Sequence, residues 1–303
     1  MLLYLKLMRW QNLVLILLTQ LVLLRATFAG NSYFTTLWNV GHVFFFLATL
    51  LIAAAGNILN DFMDEATDSI NKPHKVIVDV KISKIKVFGA YRICFILGII
   101  LGQIAAFLLL SWELAIIFPL SAYLLQQYSI RFKGTVLLGN VIIAFLCALV
   151  PVTVYHFAIG CIGNYLTNAI QPMPDLLTAI HVPILFFYSL FAFFSTLFRE
   201  IIKDIEDEDG DSQTGWHTLV VVHGEKMAKK IAALVGGISL CFILFFLYYS
   251  HLDTRTFLFA NLLLILPLLV ILFFLYFANQ YSDYQRLSWM CKVWMLCGLI
   301  YVF

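Results

Sequence analysis

The chain has 303 residues, of which 62% are hydrophobic and 12% are charged, whereas an ordinary globular chain is about 45–50% apolar and about 25% charged. A water-soluble fold cannot bury that much apolar surface, so the composition excludes a soluble protein. The formal net charge of +2 says little by itself, and we expect no nucleic-acid partner.

Apolar runs recur along the whole chain, and runs of about 17–25 residues are long enough to cross a bilayer as helices. Because backbone polar groups in lipid must be satisfied internally, these runs are spanning helices rather than open strands. We predict an all-α polytopic membrane bundle that forms a single domain over 1–303. Nine spans are predicted, and eight or ten remain possible because the fourth and ninth are short. In chain order they are 11–29, 41–60, 88–110, 112–128, 135–156, 180–202, 228–249, 256–278 and 288–303.

The basic residues favour one side of the predicted bundle. If the spans alternate in direction, 17 of the 19 Lys and Arg residues lie on the side of the amino terminus, and Arg25 and Arg255 lie on the other. Such an excess is typical of cytoplasmic loops. We therefore predict a cytoplasmic amino terminus in the plasma membrane of a prokaryote. A cleaved signal peptide ending near Ala29 is the alternative for the first run, but its length and Arg25 favour a retained anchor.

The first group of acidic residues follows the second predicted span. Asn57, Asp61, Asp64 and Asp68 are separated by four, three and four residues, so they share one face of a continuing helix, with Asn60 beside them. Three like charges on one stripe repel each other. A hard divalent cation is the simplest compensation, because carboxylate oxygens suit Mg²⁺ or Ca²⁺.

The second group of acidic residues follows the sixth predicted span. Glu200, Asp204, Asp207 and Asp211 repeat the four, three, four spacing, although Gly210 is a potential helix end before the last of them. The stretch from Glu200 to Asp211 holds seven of the chain's 17 acidic residues. Both groups follow even-numbered spans, which suggests an ancient duplication.

Basic residues lie near both acidic groups, and a magnesium diphosphate needs such neighbours. The metal bridges carboxylate and phosphate oxygens, while Lys and Arg take the remaining negative charge. Solvated loop charges are the alternative. They are disfavoured because Asn57, Asn60 and Glu200 continue the polar stripes into apolar segments, where polar groups are costly. The basic candidates are Lys72, Lys75, Arg131, Lys133, Arg199 and Lys203.

Other kinds of metal site are disfavoured by the sequence. The six cysteines contain no CxxC pair, and the seven histidines are dispersed, so we predict neither a disulfide framework nor a zinc site. The glycine and ligand spacing of an EF-hand is also absent.

The two acidic segments resemble the signatures of the UbiA-type membrane prenyltransferase superfamily. Residues 60–68 match its NDxxDxxxD motif completely, and residues 207–211 match its DxxxD motif, followed by Gly215 and Thr218. Within the superfamily, the sequence around both motifs is most similar to that of the geranylgeranylglyceryl-phosphate geranylgeranyltransferases, also called digeranylgeranylglyceryl phosphate synthases.

This resemblance implies a helical bundle around a central cavity that opens to the cytoplasm. It implies Mg²⁺-dependent transfer of a prenyl group, expected to be geranylgeranyl, from its diphosphate to a lipid acceptor, expected to be geranylgeranylglyceryl phosphate. No obligate protein partner is expected. Metal binding and catalysis are assigned to Asp61, Asp64, Asp68, Asp207 and Asp211. Diphosphate or acceptor binding is assigned to Asn57, Asn60, Lys72, Lys75, Tyr128, Arg131, Lys133, Arg199, Lys203 and Asp204.

Two other functions stay open at this point. The same chemistry serves an aromatic acceptor such as a quinone precursor. A cation transporter that uses the carboxylates as a transit site belongs to a different class. Such a site usually lies near the bilayer midplane, whereas these acids gather at one face.

Overall fold

The computed structural model describes residues 2–28, 40–73, 76–168, 182–250 and 252–301, without the side chains of residues 164–168. Within these ranges the chain consists mainly of helices. The pairing of extended backbone there is limited to one isolated β-bridge between Val78 and Ile82. Two π-helical turns, π1 (Tyr128–Phe132) and π2 (Asn261–Ile265), continue neighbouring α-helices. The α-helices are α1 (Leu2–Leu7), α2 (Trp10–Thr27), α3 (Val40–Met63), α4 (Glu65–Asn71), α5 (Lys84–Leu108), α6 (Trp112–Gln127), α7 (Leu138–Asn168), α8 (Val182–Glu206), α9 (Glu208–Gln213), α10 (Leu219–His223), α11 (Glu225–Tyr249), α12 (Thr254–Ala260), α13 (Leu266–Phe277) and α14 (Tyr281–Ile300).

Each predicted span overlaps a helix, which confirms the all-α prediction, and the chain is an integral membrane protein. Among the described residues, seven helical segments are long and apolar enough to cross a bilayer: α2, α3, α5, α7, α8, α11 and the run from α12 to α13. Helix α6 has only 16 residues, and α14 carries the charged residues Asp283, Arg286 and Lys292. The count of nine spans therefore stays a prediction.

Two helices extend well beyond their predicted bounds. Helix α7 continues to Asn168 instead of ending near 156, and residues 157–168 contain no proline that would stop it. Helix α14 begins at Tyr281 instead of 288. Its first turn is stabilised by a capping box between Gln280 and Asp283, a polar device that a search for apolar runs overlooks.

The chain divides into two compact units. Unit 1 comprises residues Met1–Ile130 and Leu149–Phe186, and unit 2 comprises Arg131–Ala148 and Phe187–Phe303. Asp61, Asp64 and Asp68 belong to unit 1, whereas Asp207 and Asp211 belong to unit 2.

In unit 1, α3 packs along α5, and α6 packs against both of these helices. Helices α1 and α2 also contact α3, and the amide of Gln20 donates a hydrogen bond to Oγ1 of Thr49 at 2.9 Å. The segment after α4 turns Val78 and Ile82 inward, where they join Leu7 in a buried apolar cluster. This cluster fixes the end of α3 that carries the first acidic group.

In unit 2, α11, α13 and α14 pack together, and α8 adds an aromatic layer. The ring of Phe187 stacks on Phe246 with 3.9 Å between centroids. The indole N–H of the buried Trp294 donates to the carbonyl oxygen of Leu264 in π2 at 2.9 Å. Nζ of Lys229 donates to the carbonyl oxygen of Ala278 at 2.5 Å, which ties the start of α11 to the turn before α14.

Candidate functional site

The first acidic group, residues 57–68, spans a joint between α3 and α4. Asp64 occupies the joint with φ −85° and ψ 1°, so the helix is interrupted where a continuous one was predicted. Backbone hydrogen bonds nevertheless bridge the joint, from Asp64 N to Asn60 O at 2.9 Å and from Asp68 N to Asp64 O at 2.8 Å. Aspartate favours such a position because its short polar side chain competes with the helical backbone. The acids before the joint and the acids after it thus lie on two separate helices, which these backbone hydrogen bonds connect.

The second acidic group, residues 200–211, has the same local construction. Asp207 lies at the joint between α8 and α9 with φ −96° and ψ 9°, and the hydrogen bonds run from Asp207 N to Lys203 O at 2.9 Å and from Asp211 N to Asp207 O at 3.1 Å. Gly210 lies inside α9 and does not end it. The matching joints agree with the duplication suggested by the spacing.

Hydrogen bonds within unit 1 hold the first group in place. Asp64 is only 3% exposed, and the amide of Asn60 donates to its Oδ2 at 2.7 Å. The amide of Asn57 donates to the carbonyl oxygen of Met8 at 3.0 Å, so this residue joins α3 to the α1–α2 junction. Both asparagines were predicted to contact substrate, and the structure gives each a hydrogen bond within the protein.

Arg9 is a neighbour of the first group that the sequence did not single out. Its Nη2 donates to Oδ1 of Asp61 at 2.5 Å. Burial lowers the pKa of Arg9, but the carboxylates of Asp61, Asp64 and Asp68 together raise it more, so the pKa lies above its ordinary value and the guanidinium remains charged. With φ 52° and ψ 56°, Arg9 adopts a left-handed conformation that non-glycine residues seldom occupy. The sequence signal was a cation just before the first span, which also suits the positive-inside pattern.

In unit 2, the amide of Asn140 donates to Oδ2 of Asp204 at 2.7 Å. This contact ties the first turn of α7 to the last turn of α8. Nη1 of Arg199 lies 2.5 Å from Oε1 of the adjacent Glu200. Asp211 is buried, at 7% exposed. Asn140 was another residue absent from the sequence-based set, since nothing in its local pattern indicates a partner 64 residues away.

Glu208, in the second group, has further carboxylates close to it. Burial raises the pKa of Glu208, and the nearby carboxylates of Glu225 and Asp209 raise it further. A cation or a cationic side chain is stabilised near such carboxylates.

The remaining predicted residues are placed as follows. Lys72 is half-buried at the end of α4, where its backbone N–H donates to Asp68 O at 2.8 Å. Lys75 lies outside the described residues. Tyr128 is buried in π1, Arg131 is exposed in the same turn, and Lys133 and Lys203 are half-buried. π-Helical turns occur frequently at functional sites.

The donor atoms suit a magnesium ion that is shared with a substrate. In the portions of the chain that the structure describes, no three His, Cys, Asp or Glu side chains converge on a point that would hold a metal. Protein-bound Mg²⁺ usually takes only one or two carboxylates and completes its shell with substrate phosphates and water. The Asp oxygens at each joint meet that requirement, whereas a zinc site would need nitrogen or sulfur ligands.

Comparisons with known proteins agree with this chemistry. The model of the UbiA prenyltransferase family matches residues 13–296. The chain is 28% identical to digeranylgeranylglyceryl phosphate synthase of Methanosphaera stadtmanae over 85% of this chain and 83% of the relative. It is 31% identical to the synthase of the same name from Methanothermobacter thermautotrophicus, over 76% and 70%.

A solved structure shares the fold. It is a UbiA homologue from Archaeoglobus fulgidus bound to GPP and Mg²⁺, which is 15% identical to this chain, with a TM-score of 0.64 and coverage of 99% of both chains.

Proposed function

The chain belongs to the UbiA prenyltransferase family, and we propose that it transfers a geranylgeranyl group from its diphosphate to geranylgeranylglyceryl phosphate in a Mg²⁺-dependent reaction. The observation that carries the proposal is the pair of matching joints at Asp64 and Asp207, each flanked by further carboxylates. The synthase names of the relatives support the choice of acceptor.

We assign metal binding to the carboxylates of the two acidic groups. Bound Mg²⁺ would act as a Lewis acid on the diphosphate oxygens, where negative charge develops as the bond to the prenyl carbon breaks. Asn60 orients the carboxylate of Asp64 for this task through its 2.7 Å hydrogen bond. In unit 2, Asn140 orients Asp204, which is assigned to diphosphate or acceptor binding, through a hydrogen bond of the same length. The proposed metal ligands are Asp61, Asp64, Asp68, Asp207 and Asp211.

The cations of the site take the rest of the diphosphate charge. Arg9 is added to the predicted set because its guanidinium already lies against Asp61 and remains charged. Lysine and arginine stabilise phosphate through charge-assisted hydrogen bonds, so this group stabilises the departing diphosphate. The other cations proposed are Lys72, Lys75, Arg131, Lys133, Arg199 and Lys203, with the Tyr128 hydroxyl as a further contact.

The prenyl chain would lie among apolar helices that exclude water. An allylic carbon that loses diphosphate becomes cationic, and water would capture it before the acceptor nucleophile attacks. A membrane-embedded site prevents this side reaction. From the distribution of Lys and Arg we infer that the amino terminus and both acidic groups are cytoplasmic, in the plasma membrane of a prokaryote.

Release of diphosphate by the purified protein tests the proposal. Geranylgeranyl diphosphate, Mg²⁺ and geranylgeranylglyceryl phosphate should give prenylated lipid and one diphosphate per turnover, and Asp61→Ala and Asp207→Ala should each abolish it. Because the reaction needs both groups, the double variant should be no worse than either single variant. Full activity in both single variants would refute the proposal.

The acceptor is identified by competition. One labelled donor is offered together with geranylgeranylglyceryl phosphate and an aromatic quinone precursor, and the products are separated by chromatography. Label in the glycerol lipid supports the proposed acceptor. Label in the aromatic product would keep the prenyl transfer and replace the acceptor.

A further inference from the structure

Trp216 is held in place by the end of α9. Gly215, with φ 80°, reverses the chain, and Trp216 N then donates to the carbonyl oxygen of Asp211 at 2.9 Å, while Gly215 N donates to that of Ser212 at 3.4 Å. This pair of hydrogen bonds is the Schellman arrangement, in which a glycine in the left-handed region ends a helix. The backbone of Trp216 is therefore tied directly to that of Asp211.

The Trp216 ring lies on Gly134, which follows Lys133 in unit 2. A methyl group on Gly134 would lie 1.6 Å from Cε3 and 2.5 Å from Cζ3 of the indole, so only glycine permits this approach. The backbone N–H of His217 also donates to the carbonyl oxygen of Gly134 at 2.9 Å. The φ angle of Gly134 is not positive. Glycine is thus required at position 134 because a side chain would clash with the ring, not because the backbone adopts a special conformation.

The turn that carries Lys133 is also fixed from its other side. Oγ1 of Thr135 donates to the carbonyl oxygen of Phe132 at 2.6 Å. A methyl group on Gly139 would lie 3.0 Å from Cα of Lys133 and 2.6 Å from the same carbonyl oxygen. The turn is thus held by Thr135 and Gly139, in addition to the contact between Gly134 and the Trp216 ring.

We propose that Trp216 is a positioning residue: through its contact with Gly134 it holds Lys133 at a fixed place relative to Asp207 and Asp211. This inference rests on the proposed function, in which Lys133 takes diphosphate charge and the two aspartates bind the metal. A long side chain such as lysine loses much of its rotamer freedom when it engages a substrate. A rigid backbone beneath Lys133 limits the additional ordering that binding requires.

The test is steady-state kinetics of the full-length protein in detergent or nanodiscs, with geranylgeranyl diphosphate and Mg²⁺. Gly134→Ala should raise KM for the diphosphate roughly tenfold, as expected when one charge-assisted hydrogen bond is lost, and should change kcat less. Trp216→Ala creates no clash and should give a similar increase. Trp216→Phe should restore part of the loss.

Two double-variant comparisons distinguish a positioning role of Trp216 from a general structural effect, because in each of them the effects on KM should not add. Gly134→Ala should have no further effect in Trp216→Ala protein, because the ring it strikes is gone. In Lys133→Gln protein, whose KM is already raised, Trp216→Ala should leave KM where it is. Elution volume and Tm, recorded for every variant, show which proteins are folded.

An unchanged KM in folded Trp216→Ala protein would overturn the role of Trp216 alone, as would a full additional loss in the Lys133→Gln background. Wild-type protein that releases no diphosphate would instead overturn the proposed function, and with it the role assigned to Trp216.

Discussion

The guanidinium of Arg9 donates to Oδ1 of Asp61 at 2.5 Å, so a cation occupies one oxygen of a proposed metal ligand. The two residues are 52 positions apart and both are partly shielded from solvent, with side chains 36% and 19% exposed. Under the proposed function, we expect Arg9 to compete with a metal for Asp61 and, once released, to be available to a phosphate.

Replacing Arg9 by glutamine should change two kinetic constants in opposite directions. The Mg²⁺ concentration for half-maximal activity should fall, because a positive charge beside the ligand has been removed. KM for the prenyl diphosphate should rise by about tenfold, the cost of a lost charge-assisted hydrogen bond. A Mg²⁺ titration at saturating donor and a donor titration at saturating Mg²⁺ measure the two constants separately.

Arg25→Gln is the matched control, since Arg25 is an exposed cation at the opposite end of α2. It should leave both constants unchanged. Equal behaviour of the two variants would show that Arg9 has no special relation to the site.

Two aspartates in the second group should differ sharply when they are neutralised. Asp207→Asn removes a proposed metal ligand at the helix joint, and we expect kcat to fall by about 100-fold or more, as for loss of a major electrostatic contribution. Asp209→Asn alters an exposed neighbour and should retain activity within about threefold, a small effect at a surface charge. Comparable losses would mean that total charge matters rather than the position of Asp207.

Asn140→Ala should destabilise the protein through Asp204. The half-buried carboxylate loses its 2.7 Å donor, and leaving such a group without a hydrogen bond costs about 1–3 kcal/mol. Tm in detergent should fall by roughly 2–6 °C. In Asp204→Asn protein the same substitution should cost clearly less, and an equal cost in both backgrounds would contradict the pairing.

Two glycines in α5 offer a packing test within one helix. Gly102→Ala places a methyl group 2.7 Å from Cγ and 2.8 Å from Cβ of Phe118, atoms near the backbone that cannot swing away, so overpacking should cost about 1–3 kcal/mol. Gly89→Ala meets nothing within 4 Å and should be neutral or gain about 0.5–1 kcal/mol from better helix propensity. Thermal unfolding of both variants checks the difference, and it fails if Gly89→Ala is the less stable protein.

Local signals in the sequence account for the helices and for the two acidic groups. Length and apolarity indicate the spans, and the spacing from Asp61 to Asp68 and from Asp204 to Asp211 follows helical periodicity. The contacts of Arg9 with Asp61 and of Asn140 with Asp204 were missed because they join residues 52 and 64 positions apart. Such pairs depend on how helices pack, which no local pattern records.

The helix joints at Asp64 and Asp207 illustrate a second limit. Aspartates spaced four, three and four residues apart fit an unbroken helix, and the backbone hydrogen bonds across each joint keep nearly the same register. The interruption depends on dihedral angles at a single residue. The spacing therefore predicted the members of each acidic group, but not the residue at which the helix carrying them is interrupted.

Each joint also determines the direction in which the last aspartate of its group points. The ψ angles of 1° at Asp64 and 9° at Asp207 differ from the α-helical value by roughly 40–50°, so the direction of α4 after α3, and of α9 after α8, depends on the backbone of a single residue. Two proteins with identical acidic signatures can therefore direct their carboxylates differently without any change of charge.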